Sequence, residues 1–359
     1  MTITVESHAG IAPVRIGKRS VGDGETVYVI AEAGVNHDGS VETAFRLIDV
    51  AAEAGADAVK FQMFTASELV TSTAPTANYQ RTDGGPATQI ELLQRLELSV
   101  RDFAAIADRC RRGGIDFLAT PFSVPDLDRL GDLAPHAIKL ASTDLDNAPL
   151  QEAAAETGLP LIVSTGAADA LEIGAAVGRL DRLGVLDRVI LLHCVSSYPT
   201  PWTDANLRAI ATLRNQFNRP AGYSDHTTAS ETGALAVAAG ACVVEKHFTL
   251  DRRSPGPDHA MSLEPDQLGQ YIQAIRSAET ALGSGFLACS PVEDEVRKVS
   301  RRSVVARTSI EAGTVLTASM LTAKRPAGGL DPTAIEQLIG RRLQSAVQLD
   351  QPLSWDMVE

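Results

Sequence analysis

The sequence predicts an α/β protein, a (β/α)8 barrel followed by a small β-rich domain. Three observations predict it. Eight short β-branched or apolar runs alternate with longer amphipathic stretches, the pattern of repeated βα units around a parallel sheet. The runs end in polar residues, where the loops of such a barrel converge. Beyond about residue 285 the pattern changes to short segments punctuated by Gly313, Pro326, Gly328, Gly329 and Gly340.

Taken in order, Val14 to Gly24 reads as an extra hairpin that could close the bottom of the barrel. The eight runs are VYVIAE ending at Glu32, DAVKFQ at Gln62, DFLAT at Thr120, AIKLAS at Ser142, PLIVST at Thr165, VILLHC at Cys194, PAGYSD at Asp225 and CVVEKH at His247. Between them lie segments such as SVETAFRLIDVAAEAG, in which Val41, Phe45, Leu47, Ile48 and Ala51 fall near helical spacing. Ser40 can cap its start and Gly55 can stop it. A last amphipathic helix spans about Glu264 to Leu282. The expected boundaries are residues 1–285 for the barrel with its hairpin, 286–297 for a polar linker, and 298–359 for the β-rich domain. That last domain is small enough to gain stability by packing on something else.

A chain of 359 residues, 44% hydrophobic and 21% charged, can bury a large core. Its net charge of −13 argues against nucleic acid or an anionic membrane surface as a partner, so an anionic substrate needs a local cationic pocket. Cys110, Cys194, Cys242 and Cys289 form no CxxC pair, which suggests neither a disulfide scaffold nor a zinc knuckle. Neither a secretory leader nor a membrane span is legible, and the expected compartment is the cytoplasm.

The polar strand ends carry the chemistry. Glu32, Asn36 and His37 follow run one; Lys60 and Gln62 lie on run two; Thr120 and Ser123 close run three. Lys139, Ser142 and Asp144 follow, then Ser164 and Thr165, His193, Ser196 and Tyr198, Ser224, Asp225 and His226, and finally Glu245, Lys246 and His247. Taken singly, each reads equally well as a loop start or helix cap; their occurrence on all eight strands favours a site. Lys60 and Lys139 are costly to bury without a counter-anion. With Thr120, Ser142, Ser164 and Ser224 they make an anion cradle, although a salt bridge to Glu32 or Glu245, or a Schiff base, would also use a lysine. His226 and His247 end consecutive strands, so their imidazoles can converge on a divalent ion with open positions for Lewis-acid work. The Pro-Gly-Pro turn in DRRSPGPDHAMSLEP can aim Asp258 back into the mouth.

These motifs resemble the sialic acid synthase family, which includes N-acetylneuraminate, legionaminic acid and pseudaminic acid synthases. AEAGVNHDGS, GADAVKFQ, ATPFS, IKLAS, STGA, LLHCVSSYPTP, GYSDHT, EKHFTLDRRSPGPDH and KRPAGG carry the resemblance, in order, from about Val14 to the C-terminus. It implies a barrel with an antifreeze-like (SAF) tail, in a domain-swapped homodimer where Arg325 of KRPAGG acts in trans. It also implies that Lys60, Thr120, Lys139, Ser142, Ser164 and Ser224 hold phosphoenolpyruvate. By the same resemblance His226 and His247 bind manganese, or magnesium or cobalt, and Gln62, Asp144, Tyr198 and Asp258 meet an aminosugar. The implied reaction joins C3 of phosphoenolpyruvate to the open-chain sugar aldehyde and releases phosphate with C–O cleavage, Glu32 handling the water proton. The family's usual SGE or SGD here reads Ser142, Thr143, Asp144, and the asparagine before the YPTP-like motif is replaced around Ser196. Arg301 and Arg302 stand near a position that some relatives fill with an aromatic residue. These departures touch the sugar side and leave the acceptor open. The competing readings are a phosphoenolpyruvate-independent metal aldolase or isomerase, and a sugar-binding or ice-interacting protein.

Overall fold

The alternation of side chains along each strand organises the first unit. The computed structural model describes residues 11–75 and 88–359, and the chain divides into two units at Gly283 and Ser284. A hairpin of β1 (Val14–Ile16) and β2 (Arg19–Val21) opens the first unit. Eight strands follow: β3 (Tyr28–Gly34), β4 (Ala58–Met63), β5 (Asp116–Pro121), β6 (Ile138–Leu140), β7 (Leu161–Ser164), β8 (Val189–Cys194), β9 (Ala221–Asp225) and β10 (Val243–His247). They pair in parallel in chain order, and β10 pairs with both β3 and β9, so the barrel is closed. The predicted barrel is therefore present, with every predicted run on a strand.

Two apolar clusters divide the strand residues by parity. Val29, Ala31, Val59, Phe117, Val163, Leu191 and Val244 pack outward against helices. Tyr28, Ile30, Ala58, Leu118, Ile162, Leu192 and Val243 fill the interior together with Val14, Ile16 and Val21 of the hairpin. The hairpin therefore belongs to the barrel floor, as its sequence suggested. A strand alternates faces with period two. Two residues beyond this apolar layer the inward positions become Glu32, Lys60, Thr120, Lys139, Ser164, Cys194, Ser224 and Glu245. An apolar lower half thus supports a polar upper half.

Helices surround the strands, and α1 (Val41–Glu53) shows how the sequence specifies them. Ser40 Oγ accepts the Thr43 N–H at 3.1 Å, Leu47, Ile48 and Ala51 are buried, and Gly55 exits at φ +84°. Val41 and Phe45, the other residues of the predicted stripe, are only partly buried against the core. Further helices are α2 (Ala66–Leu69), α3 (Gln89–Leu96), α4 (Val100–Gly113), α5 (Val124–Gly131), α6 (Ala148–Glu156), α7 (Ala170–Arg182), α8 (Arg208–Phe217), α9 (Thr232–Ala238) and α10 (Pro265–Leu282). Among the described residues no helix is long and apolar enough to cross a membrane.

The segment read as a polar linker carries a short helix, α11 (Asp294–Ser300), after a turn capped by Ser290 and Glu293. No glycine or proline interrupts residues 292–300, so nothing opposes helix there. The second unit pairs β11 (Ser303–Ala306) antiparallel with β12 (Leu321–Lys324) and adds α12 (Ile335–Leu338). Val304, Ala306, Leu316, Leu338, Leu343 and Leu353 form its own core.

Candidate active site at the barrel mouth

Lys60 and Lys139 rise from the inward positions of β4 and β6, each about 3% exposed, so their charges must be compensated inside the protein. Lys60 Nζ lies 2.9 Å from Glu32 Oε1 and 3.6 Å from Glu245 Oε2, and donates to Thr120 Oγ1 at 3.1 Å. Burial opposes its charge, but Glu245 and Glu32 outweigh burial and hold the ammonium above the usual lysine range. Lys139 Nζ donates to Ser164 Oγ at 2.6 Å and to the Leu140 carbonyl at 3.0 Å. Among the described residues it forms no ion pair with a carboxylate, and burial lowers its pKa against the more distant pull of Glu245. Of the two ammonium groups, Lys139 is thus the one in greater need of an incoming anion.

The two carboxylates divide by environment. Burial pushes Glu32 up to about 7, against the pull of Lys60 and with a push from the neighbouring Glu245. Burial would raise Glu245 too, but Lys60, Lys139 and the Ser224 hydroxyl override it and hold that carboxyl at about 2. Ser224 Oγ donates to Glu245 Oε1 at 2.8 Å. Close buried carboxylates separate in this way because both cannot ionise beside one ammonium. Glu32 Oε2 and Glu245 Oε2 are buried without a hydrogen-bond partner among the described residues. Such atoms are costly unless a ligand, ion or water satisfies them.

The imidazoles of His226 and His247 stand on the same rim, ring centroids 5.6 Å apart. His226 Nδ1 donates to the Val195 carbonyl at 2.7 Å. A carbonyl only accepts, so the proton sits on Nδ1 and Nε2 keeps its lone pair, 3.4 Å from Ser224 Oγ. Burial lowers His226 to about 4 and His247 well below the imidazole range, so both rings are neutral at pH 7. His247 Nδ1 is buried without a hydrogen-bond partner among the described residues, 3.9 Å from Asp258 Oδ2. Among those residues no group of three or more His, Cys, Asp or Glu forms a ready-made cage. The donor set of two neutral imidazoles, with the His226 tautomer fixed by its bond to the Val195 carbonyl, nevertheless fits a divalent ion whose other positions stay open.

One side of the mouth gathers further candidates. A cavity is lined by Gln62, Tyr198, His247, Asp258 and Leu92 with its neighbours. The Tyr198 ring centroid is 4.3 Å from that of His226 and 6.3 Å from that of His247. Gly34 leads the chain past them at φ +53°, and a Cβ there would lie 3.4 Å from Glu32 Oε1 and 3.5 Å from Asp258 Oδ2 and from Gln62 Nε2. Asn36 Nδ2 donates to the Phe248 carbonyl and to Ser262 Oγ, which donates to the Asp258 carbonyl at 2.6 Å. That chain of bonds ties the Pro-Gly-Pro loop to the end of β3. Burial raises Asp258 to about 6.

Ser142 occupies the opposite side, in a 3-10 turn after β6. Its Oγ is 3.0 Å from Cys194 Sγ and accepts the Gly166 N–H at 3.0 Å. Asp144 in the same turn bonds Asn147 and Thr143, within its own loop and apart from the Gln62, Tyr198 and Asp258 group. Arg325 is exposed in the second unit. Asp225 and Lys246, counted among the polar strand ends, lie on the outer face, as does His193, stacked on Tyr223 and bonded to the Ala205 carbonyl. Glu245, which the sequence placed among the polar strand ends and offered as a salt-bridge partner without a role of its own, is a central charge of the mouth.

A closed parallel barrel with its polar cluster at the strand C-termini defines a (β/α)8-barrel protein with its site in the usual place for that architecture. The model of the NeuB family matches residues 47–286, and that of the SAF domain matches residues 301–359. The chain belongs to the NeuB family. It is 39% identical over 347 residues, 96% of this chain and 98% of the relative, to N,N'-diacetyllegionaminic acid synthase of Legionella pneumophila. The Campylobacter jejuni protein of the same name is 38% identical over 87% of this chain and 94% of its own length. A solved N-acetylneuraminic acid synthetase from Leptospira borgpetersenii, in complex with citrate, superposes with a TM-score of 0.73 at 38% identity, covering 80% of this chain and 96% of that one.

Proposed function

We propose that the protein condenses phosphoenolpyruvate with an N-acetylated aminosugar aldehyde, giving a nine-carbon 2-keto acid and phosphate. One observation carries the reading: two buried ammonium groups, each bonded to a hydroxyl of the next strand, share a mouth with two neutral imidazoles. The names of the relatives agree with it. An enol phosphate is the anion those cations suit. Lys60 with Thr120, and Lys139 with Ser142, Ser164 and Ser224, bind its phosphate and carboxylate and stabilise the charge that grows on the departing phosphate. A manganese, magnesium or cobalt ion held by His226 and His247 would supply Lewis acidity at the sugar carbonyl.

C3 of the enol phosphate bonds to the aldehyde carbon, water adds at C2, and the C2–O bond breaks to release phosphate. Glu32, with a pKa near 7, can exchange the proton of that water near neutrality. Gln62, Tyr198 and Asp258 line the sugar side, and Arg325 arrives from the partner chain of a homodimer. Phe286, Leu287, Val292, Val296 and Val299 are exposed around α11, an apolar run that a partner chain would cover.

The Legionella and Leptospira relatives carry different product names, so a diacetamido hexose is the second acceptor reading. The test is a panel of N-acetylmannosamine, its 6-phosphate and a diacetamido hexose with phosphoenolpyruvate and manganese, read by phosphate release and product mass. One acceptor should give stoichiometric phosphate and a mass increased by the pyruvyl unit. Aldehyde turnover without phosphate release would instead favour a metal aldolase.

A further inference from the structure

We propose that Asp225, Lys246 and Tyr271 are positioning residues that set the His226 and His247 pair for its ion, acting from the dry outer face of the barrel. The inference rests on the reading that these two histidines hold a divalent ion. The register between β9 and β10 runs Val244 to Tyr223, Glu245 to Ser224 and Lys246 to Asp225. The Asp225 and Lys246 rung is its last, so on this edge each histidine stands one residue beyond the ladder that aligns the two strands. Because faces alternate, the same rung turns outward while Ser224, Glu245 and the two imidazoles turn inward.

That outward rung is locked from every side. Lys246 Nζ lies 3.1 Å from Asp225 Oδ2, each side chain being no more than 1% exposed, and it donates to the Thr227 carbonyl. Asp225 Oδ2 also accepts from the Tyr271 hydroxyl of α10 at 2.8 Å and from Thr232 Oγ1 of α9, while Oδ1 accepts the Thr227 N–H at 2.9 Å. The Lys246 ammonium stands 5.4 Å from the centre of the Tyr271 ring. Gly233 gives that ring its place, since a Cβ there would lie 2.5 Å from Tyr271 Cζ. Broad packing does not require so saturated an acceptor between a helix and a strand. A carboxylate that receives donors from two helices, a neighbouring strand and its own loop fixes the backbone on both sides of His226 and His247. Networks of this kind, one shell behind a ligand, tune metal affinity by orientation.

The test measures manganese affinity by calorimetric titration of the metal-stripped full chain, with urea unfolding in parallel. Asp225→Asn should weaken manganese binding by about tenfold or more. Tyr271→Phe, which keeps the ring and removes one donor, should weaken it by about threefold while the fold is retained. Asp57→Asn is the control. Asp57 pairs with Arg19 and Arg276 just before β4, far along the strands from the mouth, so its loss should lower stability without changing manganese affinity. Wild-type affinity in both Asp225→Asn and Tyr271→Phe would overturn the proposal, as would an equal loss in Asp57→Asn. A wild-type protein that binds no manganese would overturn the metal reading itself and the positioning role with it.

Discussion

Gly166 is the residue at which the mouth is tightest. A Cβ there would lie 2.4 Å from Ser196 Oγ, 2.7 Å from Cys194 Sγ and 2.9 Å from Ser142 Oγ, distances that no real methyl group occupies. Gly166→Ala must push these groups apart, and Ser142 is one of the proposed anion donors. The expected result is a KM for phosphoenolpyruvate raised about tenfold, since a displaced hydrogen bond to a charged group costs about 1.5–3 kcal/mol. Unchanged steady-state kinetics would show that Ser142 does not serve the anion. His37 makes a separate prediction about acid stability. It is fully buried, and burial lowers it from an ordinary 6.5 to about 4, so the unfolded chain binds more protons than the folded one between those values. Its contribution is present above pH 6.5 and is lost as pH falls through about 4; His226 and His247 act in the same sense. Glu32 and Asp258, raised to about 7 and about 6, act in the opposite sense. Urea midpoints of metal-free His37→Gln should therefore fall less steeply than wild type between pH 6.5 and 4. Parallel curves for the two proteins would mean that His37 is not protonation-coupled to folding.

At the level of elements, the hairpin β1–β2 acts as the barrel floor. Ile16 is fully buried among Tyr28, Ile30 and Ile162. Ile16→Ala should cost about 2–5 kcal/mol of unfolding free energy by the transfer and cavity terms together. A loss below about 0.5 kcal/mol would place the hairpin outside the core. The strands themselves were legible because each couples an apolar run to a polar end, and Ser40 and Gly55 marked α1 at both ends. The orientation of adjacent polar pairs was not. In Glu245, Lys246, His247 and in Ser224, Asp225, His226 every residue is polar, so sequence offers no contrast from which to choose the inward face. Barrel closure makes the choice: Val243 packs inside, and parity then sends Glu245 and His247 to the mouth and Lys246 to Tyr271. The helix α11 was equally hidden, because seven residues of mixed charge carry too little apolar periodicity to declare it.

On the scale of the whole molecule, the chain joins a barrel to a β-rich unit with its own core, and the exposed apolar run around α11 falls in the opening residues of that second unit. If Arg325 acts in the partner's mouth, a mixture of His247→Ala and Arg325→Ala chains, each inactive as a homodimer, should recover about a quarter of wild-type activity. Half of a random mixture is heterodimer, and one of its two sites is complete. No recovery after demonstrated subunit exchange would contradict delivery in trans. The resemblance identified the acceptor side less firmly than the anion side for a physical reason. An anion cradle needs buried cations with fixed hydroxyl partners, which few arrangements supply, whereas a sugar pocket can be built from many combinations of loop residues. The central claim is that this mouth turns an enol phosphate and an aldehyde into a keto acid by breaking the C–O bond. Phosphoenolpyruvate labelled with heavy oxygen at the C2–O–P bridge tests it most directly. The account predicts that the label leaves in the phosphate, one for each aldehyde consumed; label retained in the keto acid, or aldehyde consumed with no phosphate formed, would contradict it.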